Sequence, residues 1–174
     1  MSTTFTYGLI LAITNIALSL IGFFLGYQTD KMAQGQWFQW LVYLAIFGVI
    51  WFGIRAVREE SKDKSLSYGR GVGTGVMIAL YAGLIGGVYG YIHFAFINPD
   101  FTEYLVQFVR AQNAAKGVPD AQLDAIDQGI RFMYRPLFLA IISPIFYVCI
   151  GLVGSLIMSI FLKRAPAEPP AAAA

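Results

Sequence analysis

The third apolar stretch of the chain begins Tyr68-Gly69-Arg70-Gly71-Val72-Gly73-Thr74-Gly75 and continues from there to Ile97 without a charged residue. Small residues recur in it at every fourth position and form one stripe along a helix: Gly71, Gly75, Ala79, Gly83 and Gly87. Each glycine inside a helix costs about 0.5–1 kcal/mol relative to alanine, so a soluble helix would rarely carry so many. In lipid, helix association depends on close backbone contact, which small residues permit. The stretch therefore predicts a membrane helix packed tightly against a neighbour.

The composition of the whole chain also indicates a membrane protein. Of its 174 residues, 57% are hydrophobic and 13% are charged, whereas soluble domains carry roughly 25% charged residues. The length corresponds to one domain. A net charge of +2 is too small to indicate nucleic acid as a partner. Because the chain has one histidine and one cysteine, a Cys/His metal site is not expected, and we predict no metal and no cofactor.

Four segments are long and apolar enough to cross a hydrocarbon core of about 30 Å, which takes about 20 residues. They cover residues 7–27, 37–54, 71–97 and 136–162, and none contains Asp, Glu, Lys or Arg. The N-terminus lacks the pattern of a cleaved signal peptide, so we expect the first helix to be retained. We predict an all-α polytopic membrane protein, with one four-helix domain over residues 1–164 and a disordered Ala/Pro-rich tail over residues 165–174.

Lysine and arginine are distributed unevenly between the two sides of the predicted bundle. Seven of them follow the second and fourth segments, and five lie in the loops on the opposite side. Cytoplasmic loops carry an excess of these residues. We therefore predict that both termini lie in the cytoplasm.

The connection between the third and fourth segments carries two amphipathic patterns. Apolar residues follow helical spacing on both sides of a break at residues 117–120. We predict two short amphipathic helices on the outer surface of the bundle or in the headgroup layer. Asp120, Asp124 and Asp127 share one face of the second helix. We interpret this face as solvated, with Asp127 paired to Arg131, rather than as a cation site.

Small residues also recur in the fourth and first segments. Gly151, Ser155 and Ser159 make the fourth segment the best candidate to pack on the third, and Gly22 and Gly26 offer a further close contact from the first. Inside the fourth segment, Pro144 predicts a kink because it removes a backbone hydrogen bond.

Two polar residues inside the segments are candidates for a site. His93 is the only histidine and lies near the end of the third segment, and Asn15 gives the first segment a polar position near its middle. Ionisable residues inside a membrane are functional hypotheses by default. We favour simpler interpretations, a histidine bonded to a neighbour or to water and an interhelical hydrogen bond from Asn15. The glycines before Gly75 match no phosphate-binding loop, and no catalytic set lies within the segments.

The chain resembles a family of bacterial membrane proteins known as domain of unknown function 4199. The resemblance covers nearly the whole chain up to the tail. It rests on Gly53-Ile54-Arg55, Leu66-Ser67-Tyr68-Gly69, Ile97-Asn98-Pro99-Asp100-Phe101, Pro144 and the segment from Ser155 to Arg164. It implies a four-helix membrane protein of bacterial type, and therefore a location in the bacterial inner membrane. It implies no catalytic residues.

Two function classes remain open. The first is a non-enzymatic structural, accessory or assembly component, in contact with the lipid bilayer and with a second copy of the chain or another membrane protein. The alternative is a subunit of an oligomeric transporter or channel for a small molecule or an ion, with His93 and Asn15 as polar lining. A continuous wet cavity past either residue would favour the alternative, and a dry, closed core would favour the first class.

Overall fold

The computed structural model describes residues 2–166, so residues 167–174 of the predicted tail lie outside it. Six α-helices make up most of the described chain. They are α1 (Thr3–Phe24), α2 (Phe38–Glu60), α3 (Tyr68–Ile92), α4 (Phe101–Ala115), α5 (Asp120–Met133) and α6 (Pro136–Leu162). By length and composition, α1, α2, α3 and α6 could each cross a membrane. The predicted fold class, four spans with two amphipathic helices between the third and fourth, is confirmed.

The first helix is displaced along the chain relative to the prediction. It begins at Thr3, four residues earlier, because the Ser2 hydroxyl accepts a hydrogen bond from a backbone N–H of the first turn. It ends at Phe24, because Gly26 adopts a φ of 82°, a left-handed conformation that stops helices. The predicted position of Gly26 inside the first helix is therefore wrong.

The second and third helices extend beyond their apolar segments. The helix α2 continues to Glu60, because the charged residues after Ile54 are good helix formers that lie outside the apolar segment. The helix α3 begins at Tyr68, where the Ser67 hydroxyl accepts a hydrogen bond from the N–H of Arg70 at 3.3 Å. The predicted and observed bounds of α6 coincide.

The helix α3 is the centre of the bundle. It packs most extensively on α6, and it also packs on α1 and on α2. We call the end of the bundle that holds the N-terminus, the α2–α3 connection and the end of α6 the termini end, and the opposite end the hairpin end. The fully buried large apolar residues lie toward the termini end: Leu11, Ile50, Ile54, Leu66 and Ile78. The densest part of the core is therefore in that half.

A backbone bridge closes the termini end. The N–H of Leu66 donates to the carbonyl of Arg164 at 2.9 Å, and the N–H of Arg164 donates back to Leu66 at 2.9 Å. The bridge ties the α2–α3 connection to the residues just after α6. It therefore fixes the end of the last helix against the start of the third.

The helices α4 and α5 pack on each other as an antiparallel hairpin at the opposite end of the bundle. Val106 of α4 and Leu123 of α5 are the buried residues of this pair. The ring of Phe101 joins the hairpin to the bundle, with its centroid 4.8 Å from that of Phe94 and 5.8 Å from that of Tyr134. The two amphipathic helices thus bury their apolar faces chiefly against one another.

The predicted pair between Asp127 and Arg131 is wrong. Arg110 of α4 forms ion pairs with two aspartates of α5 instead. Its Nη1 lies 2.9 Å from Asp124 Oδ1 and 2.5 Å from Asp127 Oδ2. Hydrogen bonds to Asp124 and then Asp127 raise the pKa of Arg110 above its ordinary value. Arg131 pairs with Glu103. Both arginines therefore join α4 to α5, and Asp127 pairs with an arginine of the facing helix rather than with one of its own helix.

Candidate functional site

The small-residue stripe of α3 lies against α6. A Cβ added to Gly71 would lie 2.6 Å from the Ser159 hydroxyl, and one added to Gly75 would overlap the side chain of Ser155. Nearer the hairpin end, a Cβ on Gly83 would lie 2.7 Å from the Cα of Pro144. A Cβ on Gly87 would lie 2.7 Å from the carbonyl oxygen of Ala140, and one on Gly151 would overlap Ala79. The backbones of α3 and α6 are therefore as close as glycine allows.

The contact from α1 differs from the prediction. Gly22 faces α2, where an added Cβ would lie 3.3 Å from the ring of Phe38, and Gly26 lies beyond the helix. The close approach of α1 to α3 is at Gly8, whose added Cβ would lie 2.6 Å from the Cβ of Tyr81. The predicted packing of α1 on α3 through Gly22 and Gly26 is wrong, because α1 meets α3 most closely near its beginning.

Nearer the hairpin end, a cavity of about 540 Å³ lies between α1, α3 and α6. We call it the large cavity. Six of its lining residues are aromatic: Tyr89, Phe94, Tyr134, Phe138, Phe146 and Tyr147. Its polar lining consists of amide and hydroxyl groups from residues such as Asn15, Ser19 and Ser143, and no Asp, Glu, Lys, Arg or His lines it. Such a cavity suits an uncharged and mostly apolar molecule.

A second cavity, of about 270 Å³, lies between α1, α2 and the turn that joins them. We call it the small cavity, and it is lined among others by Gln28, Phe38 and Gln39. Asn15, Ser19 and Tyr147 line both cavities. These three residues therefore form the boundary between them.

The amide of Asn15 is buried and unpartnered at this boundary. Neither its oxygen nor its nitrogen has a hydrogen-bond partner among the described residues, and Tyr147 approaches it without good hydrogen-bond geometry. The predicted interhelical hydrogen bond from Asn15 is therefore wrong. Each buried polar group left unsatisfied costs about 1–3 kcal/mol. The amide therefore marks the place in the large cavity where a bound molecule would gain most by forming hydrogen bonds.

His93 lies beside the cavities in a saturated network. It is fully buried. Its Nε2 lies 2.8 Å from Gln28 Oε1, and its Nδ1 lies 3.0 Å from the Tyr89 hydroxyl. The Gln28 nitrogen donates to the carbonyl of Ser19 at 2.9 Å, which orients the Gln28 oxygen toward the histidine. Because that oxygen can only accept, Nε2 carries a proton and donates it to Gln28, and both ring nitrogens have a hydrogen-bond partner.

A π-helical turn over His93–Ile97 ends the third span. The N–H of Asn98 donates to the carbonyl of His93 at 2.7 Å, and the Asn98 amide reaches the carbonyl of Gln28 at 3.4 Å. Such turns are frequent at functional sites. Here the π-helical turn places His93 and Asn98 so that both form hydrogen bonds with Gln28, in the segment that joins α1 to α2.

The structure thus brings the two predicted polar candidates close together. Asn15 and His93 are linked through Ser19, which lies one turn after Asn15 and accepts from the histidine's partner Gln28. Sequence reasoning missed Gln28, Tyr89 and Tyr147. A glutamine in a turn and tyrosines within apolar segments are common in membrane proteins, so neither residue type was a signal by itself. The described residues contain no group of His, Cys, Asp and Glu that could hold a metal ion.

Comparison with known proteins gives a family and no named relative. The family model described as "Protein of unknown function (DUF4199)" matches residues 6–164. No curated protein and no solved structure matches the chain. The match covers most of the chain, so this protein belongs to the DUF4199 family.

Proposed function

We propose that this DUF4199 protein is a non-enzymatic accessory component of a bacterial inner membrane that binds a small, mostly apolar molecule in the large cavity. The observation that carries the proposal is the cavity itself, with an unpartnered amide at its inner boundary. Its volume of about 540 Å³ lies within the range of roughly 300–1,000 Å³ that is usual for small-molecule sites. Apolar walls with a few placed polar groups are also typical of such sites.

The position of the cavity supports entry from the hairpin end or from the lipid beside it. Met133 and Tyr134, which follow from α5 into α6, line its outer part. Met133 and Phe146 are more than half exposed, so the wall of the cavity is continuous with the lipid-facing surface. A molecule dissolved in that half of the bilayer would reach the site without crossing the core.

A transporter or channel subunit has less support. Toward the termini end, α3 and α6 meet at Gly75 and Ser155 with no room for a Cβ, and Ile50 and Ile78 are fully buried beside them. A path through the bundle would have to separate its most tightly packed pair of helices. Binding from one side requires no such movement.

The binding proposal is tested with methyl-labelled methionines and two neutral naphthalene probes in lipid nanodiscs. The probes are 2,3-dimethylnaphthalene and 2,3-dimethyl-1,4-naphthoquinone. Met133 lines the large cavity, whereas Met77 of α3 is 38% exposed and lines neither the large nor the small cavity. We expect at least one probe to shift the Met133 methyl resonance saturably, because the site is finite. Met77 should show only the gradual shift that dissolved probe causes.

The matched variants are Gly90→Leu and Gly73→Leu in the same helix. A Cβ at either position would meet no atom of another element within 4 Å, so both should fold, and only Gly90 lines the large cavity. We expect Gly90→Leu to fill the cavity and abolish the saturable shift, and Gly73→Leu to retain it. Equal, unsaturable shifts at Met133 and Met77 with both probes would refute the proposal.

The same proposal places both termini in the cytoplasm and the α4–α5 hairpin outside. The support is the distribution of lysine and arginine, with seven on the termini side and five on the opposite side. In a Cys149→Ser background, a membrane-impermeant maleimide added to intact cells should label Lys116→Cys. It should label Lys62→Cys only after lysis. Both positions are exposed, so labelling of Lys62→Cys alone in intact cells would reverse the orientation.

A further inference from the structure

We propose that the large cavity recognises a neutral ring compound that carries carbonyl oxygens, the chemical class of quinones and related aromatic ketones, with Asn15 as the residue that binds an oxygen. This inference rests on the proposed function, since it names the class of molecule that the large cavity takes. It follows from three properties of the lining, which are its lack of charge, its aromatic walls and the state of the Asn15 amide.

The lack of charge sets the first limit. No ionisable carboxylate, ammonium, guanidinium or imidazole group lines the large cavity. His93, which is bonded to the lining residue Tyr89, has both ring nitrogens occupied by Gln28 and Tyr89. A charged ligand would leave water without a counter-charge, which is strongly unfavourable in an apolar setting. The molecule is therefore neutral.

The aromatic walls favour a flat ring over a simple alkyl chain. Aromatic residues come from α3, from α6 and from the residues that precede α6, so they face the cavity space from different directions. Aromatic pairs prefer offset-stacked or edge-to-face arrangements and gain about 0.5–1.5 kcal/mol beyond area burial. An alkyl chain would bury the same area without that gain.

The Asn15 amide nitrogen would gain a hydrogen bond from a ligand that carries an acceptor oxygen. Its nitrogen can donate two hydrogen bonds and its oxygen can accept, and neither has a partner among the described residues. The Tyr147 hydroxyl lies next to the amide on the same boundary. A ring carbonyl at this depth can accept from the Asn15 nitrogen while the hydrocarbon part of the ligand lies among the aromatic walls. This arrangement would satisfy the donor that the protein leaves free.

The test compares the two probes, which differ in the ring carbonyls and have no free quinone position for attack by the thiol of Cys149. The saturable shift of the Met133 methyl gives each dissociation constant, corrected for the measured partition of each probe into the nanodisc. For the wild-type protein we expect the quinone to bind about five- to tenfold more tightly than the hydrocarbon. This is the difference in affinity that about one added hydrogen bond produces. The 2-hydroxy-3-methyl analogue, an anion at neutral pH, should bind more weakly than the neutral quinone.

The Asn15→Leu variant should lose the difference between the two neutral probes while still binding the hydrocarbon. Gln39→Leu is the matched control, because Gln39 lines only the small cavity, and it should retain the wild-type difference. If Asn15→Leu does not fold, the comparison of the two neutral probes on the wild-type protein still tests the ligand class. If the two neutral probes bind equally, or the anion binds as tightly as the quinone, the ligand class is wrong and the binding function remains. If neither neutral probe gives a saturable shift at Met133, both proposals fail.

Discussion

Replacing Gly83 by leucine is expected to destabilise the protein by about 3 kcal/mol or more. A Cβ at this position would lie 2.7 Å from the Cα of Pro144 and 2.9 Å from the Cβ of Tyr147. Extra methylene groups in a well-packed core cost about 1–3 kcal/mol when neighbours can adjust. Here the nearest atom belongs to the backbone of α6, so relief requires the two helices to move apart. Removing the contact between α3 and α6 would open the centre of the bundle.

The measurement is the free energy of unfolding in mixed micelles, with Gly73→Leu as the control. Gly73 lies in the same helix, and a Cβ there would meet no atom of another element within 4 Å. Leucine is a better helix former than glycine by up to about 1 kcal/mol, so the control should be as stable as the wild type or slightly more stable. Equal stability of the two variants would show that the α3–α6 contact contributes little.

Replacing His93 by leucine is expected to cost about 2–3 kcal/mol. The fully buried ring bonds to Gln28 on one side and to Tyr89 on the other. Leucine removes both hydrogen bonds and leaves the Gln28 oxygen and the Tyr89 hydroxyl without that partner. A buried polar group that loses its partner costs about 1–3 kcal/mol, and the Tyr89 hydroxyl can recover part of this by turning toward the large cavity.

A double-mutant cycle separates this explanation from a simple loss of packing. Removing both members of a buried hydrogen-bonded pair is much less costly than removing one. The double variant His93→Leu with Gln28→Leu should therefore be destabilised by less than the sum of the single changes, by about 1 kcal/mol. Strictly additive losses in thermal or detergent unfolding would mean that the hydrogen bond between the two side chains contributes nothing measurable.

The spans and the stripe of α3 could be predicted because their causes are local. About 20 apolar residues must be helical to satisfy their backbone in lipid. Small residues at every fourth position must share a face wherever the helix is placed. The helix ends were less predictable, because they depend on single residues. Ser2 extends α1 backward and Gly26 stops it, and neither affects the apolar pattern.

The polar site could not be predicted because it depends on which segments meet. Gln28 and His93 are 65 residues apart in sequence. Asn15 was expected to form a hydrogen bond with another helix, and Tyr147 of α6 lies near the amide without forming a hydrogen bond of good geometry. Asp127 pairs with Arg110 rather than with the predicted Arg131 for the same reason. In each instance the residue type was visible, and its neighbour was set by tertiary packing.

The bridge between Leu66 and Arg164 has a consequence for the order in which the protein is assembled. Ribosomes make α3 well before α6, and the α4–α5 hairpin must be synthesised in between. During that interval the glycine face of α3 has no α6 to cover it, and only α1 and α2 are available as neighbours. The bridge can form only when the last helix has been inserted along its whole length, because Arg164 follows the end of α6. Its two hydrogen bonds therefore form only after α6 is complete, and a nascent chain that stops before them would expose the glycine face of α3 to other proteins in the bilayer.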